Sequence, residues 1–461
     1  MTFVVLALGA CSRDRGPTGS TLAGASVTLR PTPAATRETT LATVAPRRLP
    51  RPITARPLTA KALVGKSLFF DPKLSGSGKT SCATCHDPAR AYGPPNDLPV
   101  QLGGKKGTQQ GGRAVPSLRY KEYTPPYADL LDNPDGISAP GPGGGFAWDG
   151  RAATLAEQAR LPLLSPLEMA NDGPEDVARK VRAAPYAADF QRAFGDVSTD
   201  SVVFEDVLAA LQAFQLEDPS FHPYDSKFDL HADNKIGGTF TPAEARGFRV
   251  FVDPATGNCA SCHYTGAGIN GSSGLFTDFS YAAIGVPRNP AIEANRDPSY
   301  FDLGICGPLR TDHRGGDGAE NRFCGLFKTP TLRNAATRKV FFHNGVIHSL
   351  EQAVRFYVTR DTRPELWYPT VGGVARAAPP GFPDFGLVKA IFTGGKVQKF
   401  DDLPPQFSGN IDPQLPLDGR ARGSKPPLTE QNIQDLLCFL DTLTDGYVPP
   451  ADPPHAGRCV D

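Results

Sequence analysis

Apolar residues recur at helical spacing in four segments of the chain. The segment that starts at Thr241 opens with a capping box, in which Thr241 and Glu244 flank a proline at the first helical position. The apolar positions of the four segments are Leu63, Val64, Leu68 and Phe69; Val207, Leu208, Leu211 and Phe214; Phe248, Val250 and Phe251; and Ile433, Leu436, Leu437 and Leu440. This spacing predicts two helices in each half of the chain, the first of them over residues 59–70.

The sequence between these helices is rich in residues that interrupt regular structure. Glycine and proline number 48 and 46, which is high for a helical protein and predicts long irregular loops, especially over 87–147 and 264–332. The pattern also breaks at residues 220–240, and 461 residues suit two domains better than one. We therefore expect a mainly α fold with an N-terminal domain over 53–230, a C-terminal domain over 231–447 and a tail over 448–461.

The N-terminus has features of an exported protein. Residues 1–11 contain a short apolar run that ends in Leu8-Gly9-Ala10-Cys11, a sequence similar to a bacterial lipobox, and residues 12–52 lack any hydrophobic period. We expect a lipid anchor at Cys11 followed by a flexible tether. The charged segment that usually precedes such an apolar run is missing, so the true start could lie upstream, or Cys11 could be an ordinary thiol after a weak signal.

The charge balance of the chain gives no support for binding to nucleic acid or to a charged membrane surface. Lys and Arg together number 48, as do Asp and Glu, so the formal net charge is zero. No overall field favours nucleic acid or a charged membrane surface, and any partner must be recognised by a local patch.

Two pentapeptides carry the candidate chemistry: Cys82-Ala83-Thr84-Cys85-His86 and Cys259-Ala260-Ser261-Cys262-His263. Two thiols at this spacing can each add to a vinyl group of one porphyrin, which places the following imidazole against the iron. A zinc knuckle would need both Cys pairs to converge on one metal, and a thioredoxin-like dithiol would need a βαβ surrounding. We therefore predict two covalently bound haem c groups, with His86 and His263 as iron ligands.

Several further stretches resemble the bacterial di-haem cytochrome c peroxidase family, and within it the MauG-like branch. They follow the family order over about 380 residues. The stretches are Leu68–Asp71, Ser81–Pro88, Trp148–Ala152, Glu168-Met169, Lys328–Asn334 and Phe342–Gly345. The resemblance implies two tandem cytochrome c-like domains, with the N-terminal haem as the peroxide site and the C-terminal haem as the electron-transfer site.

The resemblance also implies roles for individual residues. Glu168 corresponds to the family's distal carboxylate at the peroxide site, and Gln158 and Pro162 match positions ten and six residues before it. Trp148 corresponds to a tryptophan between the two haems. The alternatives are a surface glutamate in a helix turn for Glu168 and an ordinary core residue for Trp148.

Chemistry supports the role of Glu168 independently. Heterolytic cleavage of a bound peroxide needs a group that takes the proton from the inner oxygen and delivers one to the departing outer oxygen. A carboxylate over the iron can do both.

The choice of iron ligands is limited by composition. Besides Met1 the chain has only Met169, so the common pairing of His with Met is not available to the second haem. MauG-like members have a ligand tyrosine at the position that corresponds to Tyr357. A helical aromatic that only packs is the alternative for Tyr357, and His343 and His348 are rival ligands.

The sequence differs from many members of the resembled family in two further features, which concern the first haem and calcium. Residues 88–148 contain no His, so we predict that the first haem is open or water-bound without reductive activation. Many family members bind calcium through an Asn in an Arg-Asn-x-Pro segment. Here Ala114 stands at that position and offers no side-chain oxygen, which argues against calcium.

Four cysteines remain outside the haem motifs. We expect Cys306 to pair with Cys324, while Cys438 and Cys459 either form a second bridge or stay free. Disulfides and thioether attachment both favour a compartment outside the cytosol, and we expect the periplasm.

The leading functional hypothesis is a peroxidase that reduces hydrogen peroxide at the His86 haem. Electrons would come from a small redox protein, a cytochrome or a cupredoxin, through the His263 haem. One alternative is a MauG-like enzyme that uses peroxide to oxidise residues of a partner protein. Another is a di-haem electron carrier without a substrate.

Overall fold

The computed structural model describes residues 56–136, 138–266, 273–313, 319–379, 391–450 and 459–460. Within these ranges the chain is mainly helical, with a few short strands, as predicted. Cys11 and the predicted tether over 12–52 lie outside the described residues.

The α-helices are α1 (Ala60–Phe70), α2 (Cys82–Cys85), α3 (Leu155–Leu164), α4 (Pro174–Arg182), α5 (Ala187–Phe194), α6 (Asp200–Glu217), α7 (Lys227–Ala232), α8 (Pro242–Val252), α9 (Leu350–Thr359) and α10 (Glu430–Asp441). The four helices predicted from the apolar pattern are confirmed as α1, α6, α8 and α10. In α8 the Thr241 hydroxyl accepts a hydrogen bond from the Glu244 backbone N–H, and the Glu244 carboxylate accepts one from the Thr241 backbone N–H, as the capping box predicts. Helices α3, α4, α5 and α9 are additional to the two helices predicted in each half, and α7 lies inside the predicted break at 220–240.

The strands are β1 (Leu102–Gly103), β2 (Gln109–Gln110), β3 (Ala128–Leu131), β4 (Gly141–Gly143), β5 (Tyr281–Ala282), β6 (Phe327–Lys328), β7 (Thr370–Val371), β8 (Val374–Arg376), β9 (Ile391–Thr393) and β10 (Lys396–Val397). Among the described residues they form two-stranded antiparallel sheets that pair β1 with β2, β3 with β4, β5 with β6, β7 with β10 and β8 with β9. Strands β1 to β4 fall in the segment 87–147, which is therefore less irregular than expected.

The two halves of the chain repeat one helix crossing. In the first half, a Cβ atom on Gly65 of α1 would lie 1.9 Å from the carbonyl oxygen of Ala210 in α6. In the second half, a Cβ atom on Gly247 of α8 would lie 1.9 Å from the carbonyl oxygen of Asp435 in α10. Both helix pairs cross so closely that only glycine fits.

Each crossing lies in its own hydrophobic cluster. The first cluster contains Leu68, Phe69, Leu211 and Phe214, and the second contains Val250, Phe251, Leu436 and Phe439, with further residues in each. Aromatic rings fill both clusters and meet mostly edge to face, as Phe69 and Phe214 do at 5.5 Å between centroids. The predicted apolar positions are buried except for Leu63, which is 53% exposed, and Phe248, which is partly buried. The boundary between two domains stays a prediction.

Two disulfides close loops in the C-terminal half. Cys306 is bonded to Cys324, as predicted, and Cys438 of α10 is bonded to Cys459, which decides the alternative left open above. Of the helices described here, none combines the length and the apolar character needed to cross a membrane.

Candidate functional site

The first Cys-x-x-Cys-His motif forms α2 and the residue that follows it. The His86 backbone N–H bonds to the Cys82 carbonyl at 2.9 Å, and the His86 Nδ1 atom lies 3.0 Å from the Tyr92 carbonyl oxygen. A carbonyl can only accept, so Nδ1 carries the proton and Nε2 keeps its lone pair. His86 is therefore oriented to bind a metal through Nε2.

The second motif repeats this arrangement with different neighbours. The His263 backbone N–H bonds to the Cys259 carbonyl at 2.9 Å, and Nδ1 of His263 lies 3.0 Å from the Phe276 carbonyl oxygen. Burial lowers the pKa of both His86 and His263 to about 4, which keeps each imidazole in the neutral form that binds metals.

The four motif cysteines are unbridged and only partly exposed. Burial raises the pKa of Cys85 to about 11 and that of Cys82, Cys259 and Cys262 to about 12, so all four are neutral thiols. Paired thiols beside an oriented, neutral imidazole fit the attachment of a haem c at each motif. Within the described ranges, no three His, Cys, Asp or Glu side chains converge to hold a metal ion.

A large cavity adjoins the second motif. Its lining includes His263 with Cys259 and Cys262, and also Tyr357 of α9. Burial raises the pKa of the Tyr357 phenol, so in the protein alone this side chain is a neutral phenol. A phenolate at this position would need a cation beside it, which a ferric iron would supply.

His343 lines the same cavity and is buried. Its ring stacks on Phe327 with the centroids 3.5 Å apart, and its Nε2 atom has no hydrogen-bond partner. His343 therefore lines the cavity with an Nε2 atom that makes no hydrogen bond and lies 3.9 Å from the Asp402 carboxyl, whereas His348 lies just before α9 and is not part of the lining. Tyr357 and His343 thus both line the cavity that contains His263.

Glu168 lies close to the first motif. Its charge contributes to the raised pKa of Cys85, and the Gly104 backbone N–H holds the Glu168 carbonyl at 2.7 Å. The Glu168 side chain is exposed to solvent, but the protein around its carboxyl raises the pKa of that group by desolvation, against a smaller opposing effect of Arg151. A carboxyl whose pKa is raised in this way holds its proton more readily than a free glutamate and can both accept and return one.

Gln158 and Pro162 lie one turn apart on α3, and both are partly buried. Pro162 has no backbone N–H, so the Gln158 carbonyl loses its usual partner within the helix. The Pro162 carbonyl instead accepts from the backbone of Met169, which ties the end of α3 to the residue after Glu168. Met169 itself is 3% exposed and packs in the first hydrophobic cluster.

Trp148 also lines the large cavity. Its indole Nε1 donates to the Ala114 carbonyl at 2.8 Å, and its own carbonyl accepts from the Lys328 backbone at 2.9 Å. The indole is therefore fixed between the segment around residue 114 and the second motif's cavity.

The charged residues around this cavity were not predicted from the sequence. Arg113 forms ion pairs with Asp149 and Asp302, each at 2.7 Å, and these side chains are largely or fully buried. Three further cations, Lys121, Lys328 and Arg338, line the cavity. Arg151 and Lys328 lie in two of the stretches that match the family, so these cations are visible in the sequence. No sequence pattern, however, indicates that charged residues from distant segments meet around one cavity.

Comparison with known proteins places the chain in a family. Residues 59–236 match the family model described as di-haem cytochrome c peroxidase. The chain is 37% identical to methylamine utilization protein MauG of Paracoccus denitrificans over 306 residues, which cover 64% of this chain and 73% of that protein. It is 31% identical to cytochrome c551 peroxidase of Nitrosomonas europaea, over 63% of this chain and 70% of that protein.

A solved structure agrees with these sequence relatives. The diheme peroxidase BthA from Burkholderia thailandensis superposes with a TM-score of 0.70 at 34% identity, covering 88% of each chain. The chain belongs to the di-haem cytochrome c peroxidase family, as the sequence resemblance implied. It is an oxidoreductase that acts on peroxide, and its family membership implies two haem c groups as cofactors.

Proposed function

We propose that the protein reduces hydrogen peroxide at the haem held by His86 and receives electrons through the haem held by His263. The observation that carries this proposal is the pair of oriented, neutral histidines beside free paired thiols, with the Glu168 carboxyl next to one pair only. When bound, the haems supply iron centres that accept and deliver electrons one at a time.

Glu168 is the proposed acid–base group. It accepts the proton from the peroxide oxygen that faces the metal and returns it to the other oxygen, which leaves as water. Its raised pKa suits both halves of this transfer. Overall, one peroxide, two protons and two electrons give two water molecules.

Gln158 and Pro162 are proposed to shape the side of the site on which Glu168 acts. The Gln158 carbonyl receives no N–H from Pro162 and can therefore accept from a bound water or peroxide. The bond from Met169 to the Pro162 carbonyl at 3.0 Å fixes the turn that carries Glu168.

Trp148 is the proposed electron route between the two haem sites. Its indole lines the cavity of the second motif and is held by the Ala114 carbonyl, two residues before Pro116, which also lines that cavity. An aromatic ring held rigidly in this position shortens the gap that an electron must cross.

Tyr357 is the proposed second ligand of the His263 haem, since both side chains line one cavity. A phenolate stabilises ferric iron, so this haem would have a low potential. We also propose that no calcium is required, because Ala114 lacks a side-chain oxygen and the neighbouring Val115 carbonyl accepts from Arg338 at 3.0 Å.

The proposed setting is the periplasm, with each half of the chain forming a cytochrome c-like domain and with a possible lipid anchor at Cys11. The repeated glycine crossings and the repeated histidine geometry support the division into two such domains. The proposed electron donor is a small cytochrome or cupredoxin.

The test is steady-state turnover of hydrogen peroxide by the purified holoprotein with a reduced small cytochrome c or cupredoxin. The proposal expects two donor molecules oxidised for each peroxide consumed. Peroxide consumption without matching donor oxidation would contradict it.

A second candidate function is oxidation of residues in a partner protein, as in the MauG-like alternative. Tyr357 and His263 line one cavity, which favours this function, as does the 37% identity to a MauG protein. In that case small donors would be oxidised slowly, and a partner protein would gain covalent changes detectable by mass spectrometry.

A further inference from the structure

Three cations line the large cavity without a carboxylate partner among the described residues: Lys121, Lys328 and Arg338. The Arg338 guanidinium donates only to backbone carbonyls, to Val340 at 3.1 Å and to Val115 at 3.0 Å. The Lys328 ammonium donates to the Gly145 carbonyl. Each side chain is partly exposed, and it is the cavity that it faces.

Two other arginines near the cavity each form an ion pair with a carboxylate. Arg113 is paired with Asp302, and the fully buried Arg333 is paired with Asp229, in both cases at 2.7 Å. Acids of the chain itself thus neutralise Arg113 and Arg333. Lys121, Lys328 and Arg338 differ from them because they have no carboxylate partner among the described residues.

Leaving these charges unpaired is unfavourable. Desolvation lowers the pKa of Lys121 to about 8 and that of Arg338 to about 10, and it lowers the pKa of Lys328 well below its usual range. A partly desolvated cation without an anion destabilises the folded protein. An anion in the cavity would remove this cost.

The cations lie between the two haem sites. The charges of Lys121 and Arg338 contribute to lowering the pKa of His86, so both are close to the first site. The same two residues line the cavity that contains His263 and Tyr357. An anion bound here would therefore be near both histidines.

We propose that Lys121, Lys328 and Arg338 form a docking site for the propionate carboxylates of the two haems, and that Arg338 with Lys121 raises the haem reduction potentials. This inference rests on the proposed haem sites. Each haem c carries two propionates, which are the anions that haem binding would bring to this cavity. A fixed cation beside a haem favours its reduced form, because reduction adds one negative charge.

The experiment is spectroelectrochemical titration of the holoprotein, compared between Arg338→Leu and Lys339→Met. Lys339 is the adjacent cation, is exposed and does not line the cavity, so it is the matched control. We expect Arg338→Leu to lower the equilibrium constant for one-electron reduction of at least one haem tenfold or more, which corresponds to about 59 mV. Lys339→Met should titrate like the wild type.

A second pair of variants separates an effect of charge on the potential from an effect of misfolding. Arg338→Lys keeps the charge and should restore most of the potential, and Lys121→Met should lower it if the site works as proposed. Potentials of Arg338→Leu and Lys121→Met that match the Lys339→Met control would overturn the inference. So would a wild-type potential that follows the concentration of added phosphate, because the site would then bind a free anion.

The haem content separates this inference from the proposed function. A pyridine haemochrome assay of the wild type that finds fewer than two covalent haems would refute the proposed function. Two covalent haems together with unchanged variant potentials would refute only the role of the cations.

Discussion

At the scale of single residues, function depends on how the fold treats a few polar groups. Glu168 is exposed, yet nearby protein desolvates its carboxyl enough to raise the pKa. Its neighbour Met169 is fully packed in the core. Adjacent residues thus lie in opposite environments: Met169 is packed in the core, and Glu168 is exposed.

The first prediction concerns Glu168. Glu168→Gln removes the proton acceptor and should slow the reaction with peroxide by about 10²–10⁴-fold, the usual contribution of a general acid–base group. Stopped-flow mixing with peroxide measures this rate. Glu175→Gln, at an exposed acid in the first turn of α4, is the control and should react at the wild-type rate.

The same residue predicts a pH dependence. Because its folded pKa is raised above the ordinary 4.5, Glu168 gains its proton at a higher pH than a free glutamate, and the proton acceptor is lost as the pH falls through that value. The peroxide rate should therefore fall on the acid side, with a midpoint above 4.5. A Glu168→Gln variant that keeps this acid limb would assign it to another group.

Residue patterns explain what the sequence could and could not predict. His86 and His263 were identified because the motif is local, with both cysteines within four residues of the histidine. Lys121 and Arg338 are more than 200 residues apart and meet only in the folded chain. Nothing in either local sequence shows that the other cation is near.

At the scale of elements, amphipathic spacing was a reliable guide to long helices. Helices α1, α6, α8 and α10 form where apolar residues recur, and Thr59, Thr199, Thr241 and Thr429 cap them. Helix α7 was missed because it has six residues and no apolar stripe, although Ser226 and Asp229 form a capping box at its start. The strands of two to four residues carry too little pattern to be predicted.

The second prediction follows from the repeated crossings. Gly65→Ala and Gly247→Ala each place a methyl group on a carbonyl oxygen, so each should lower the free energy of unfolding by about 1–3 kcal/mol, the usual cost of overpacking. Denaturant unfolding of the holoprotein measures the change. Gly409→Ala is the control, because a Cβ there meets nothing within 4 Å and the residue is exposed.

A result at only one of these glycines would also be informative. If Gly65→Ala destabilises the protein and Gly247→Ala does not, the two crossings are not equivalent, and the repeat between the halves would be weaker than the backbone geometry indicates.

At the scale of the whole molecule, buried ion pairs join distant parts of the chain. Arg113 binds Asp302, Arg119 binds Asp445 and Arg333 binds Asp229. Breaking one partner of such a pair is costly, because a buried charge is left uncompensated. These pairs hold the segments around the cavity in fixed relation, and none of them could be read from sequence spacing.

The third prediction concerns metal dependence. The Val115 carbonyl accepts from Arg338 and the Ala114 carbonyl from Trp148, so both oxygens of this segment already have donors. Prolonged treatment with EDTA, followed by dialysis, should leave peroxide turnover and the visible spectrum unchanged. Loss of activity that added calcium restores would contradict the proposal that no calcium is needed.

We propose that the two iron sites differ, with an open face beside Glu168 and a tyrosine ligand beside His263. The decisive comparison is between the electron paramagnetic resonance spectra of the oxidised wild-type holoprotein and of Tyr357→Phe. We expect one high-spin and one low-spin ferric signal, of which Tyr357→Phe changes only the low-spin one. Two low-spin signals in the wild type, or a spectrum that Tyr357→Phe leaves unchanged, would contradict it.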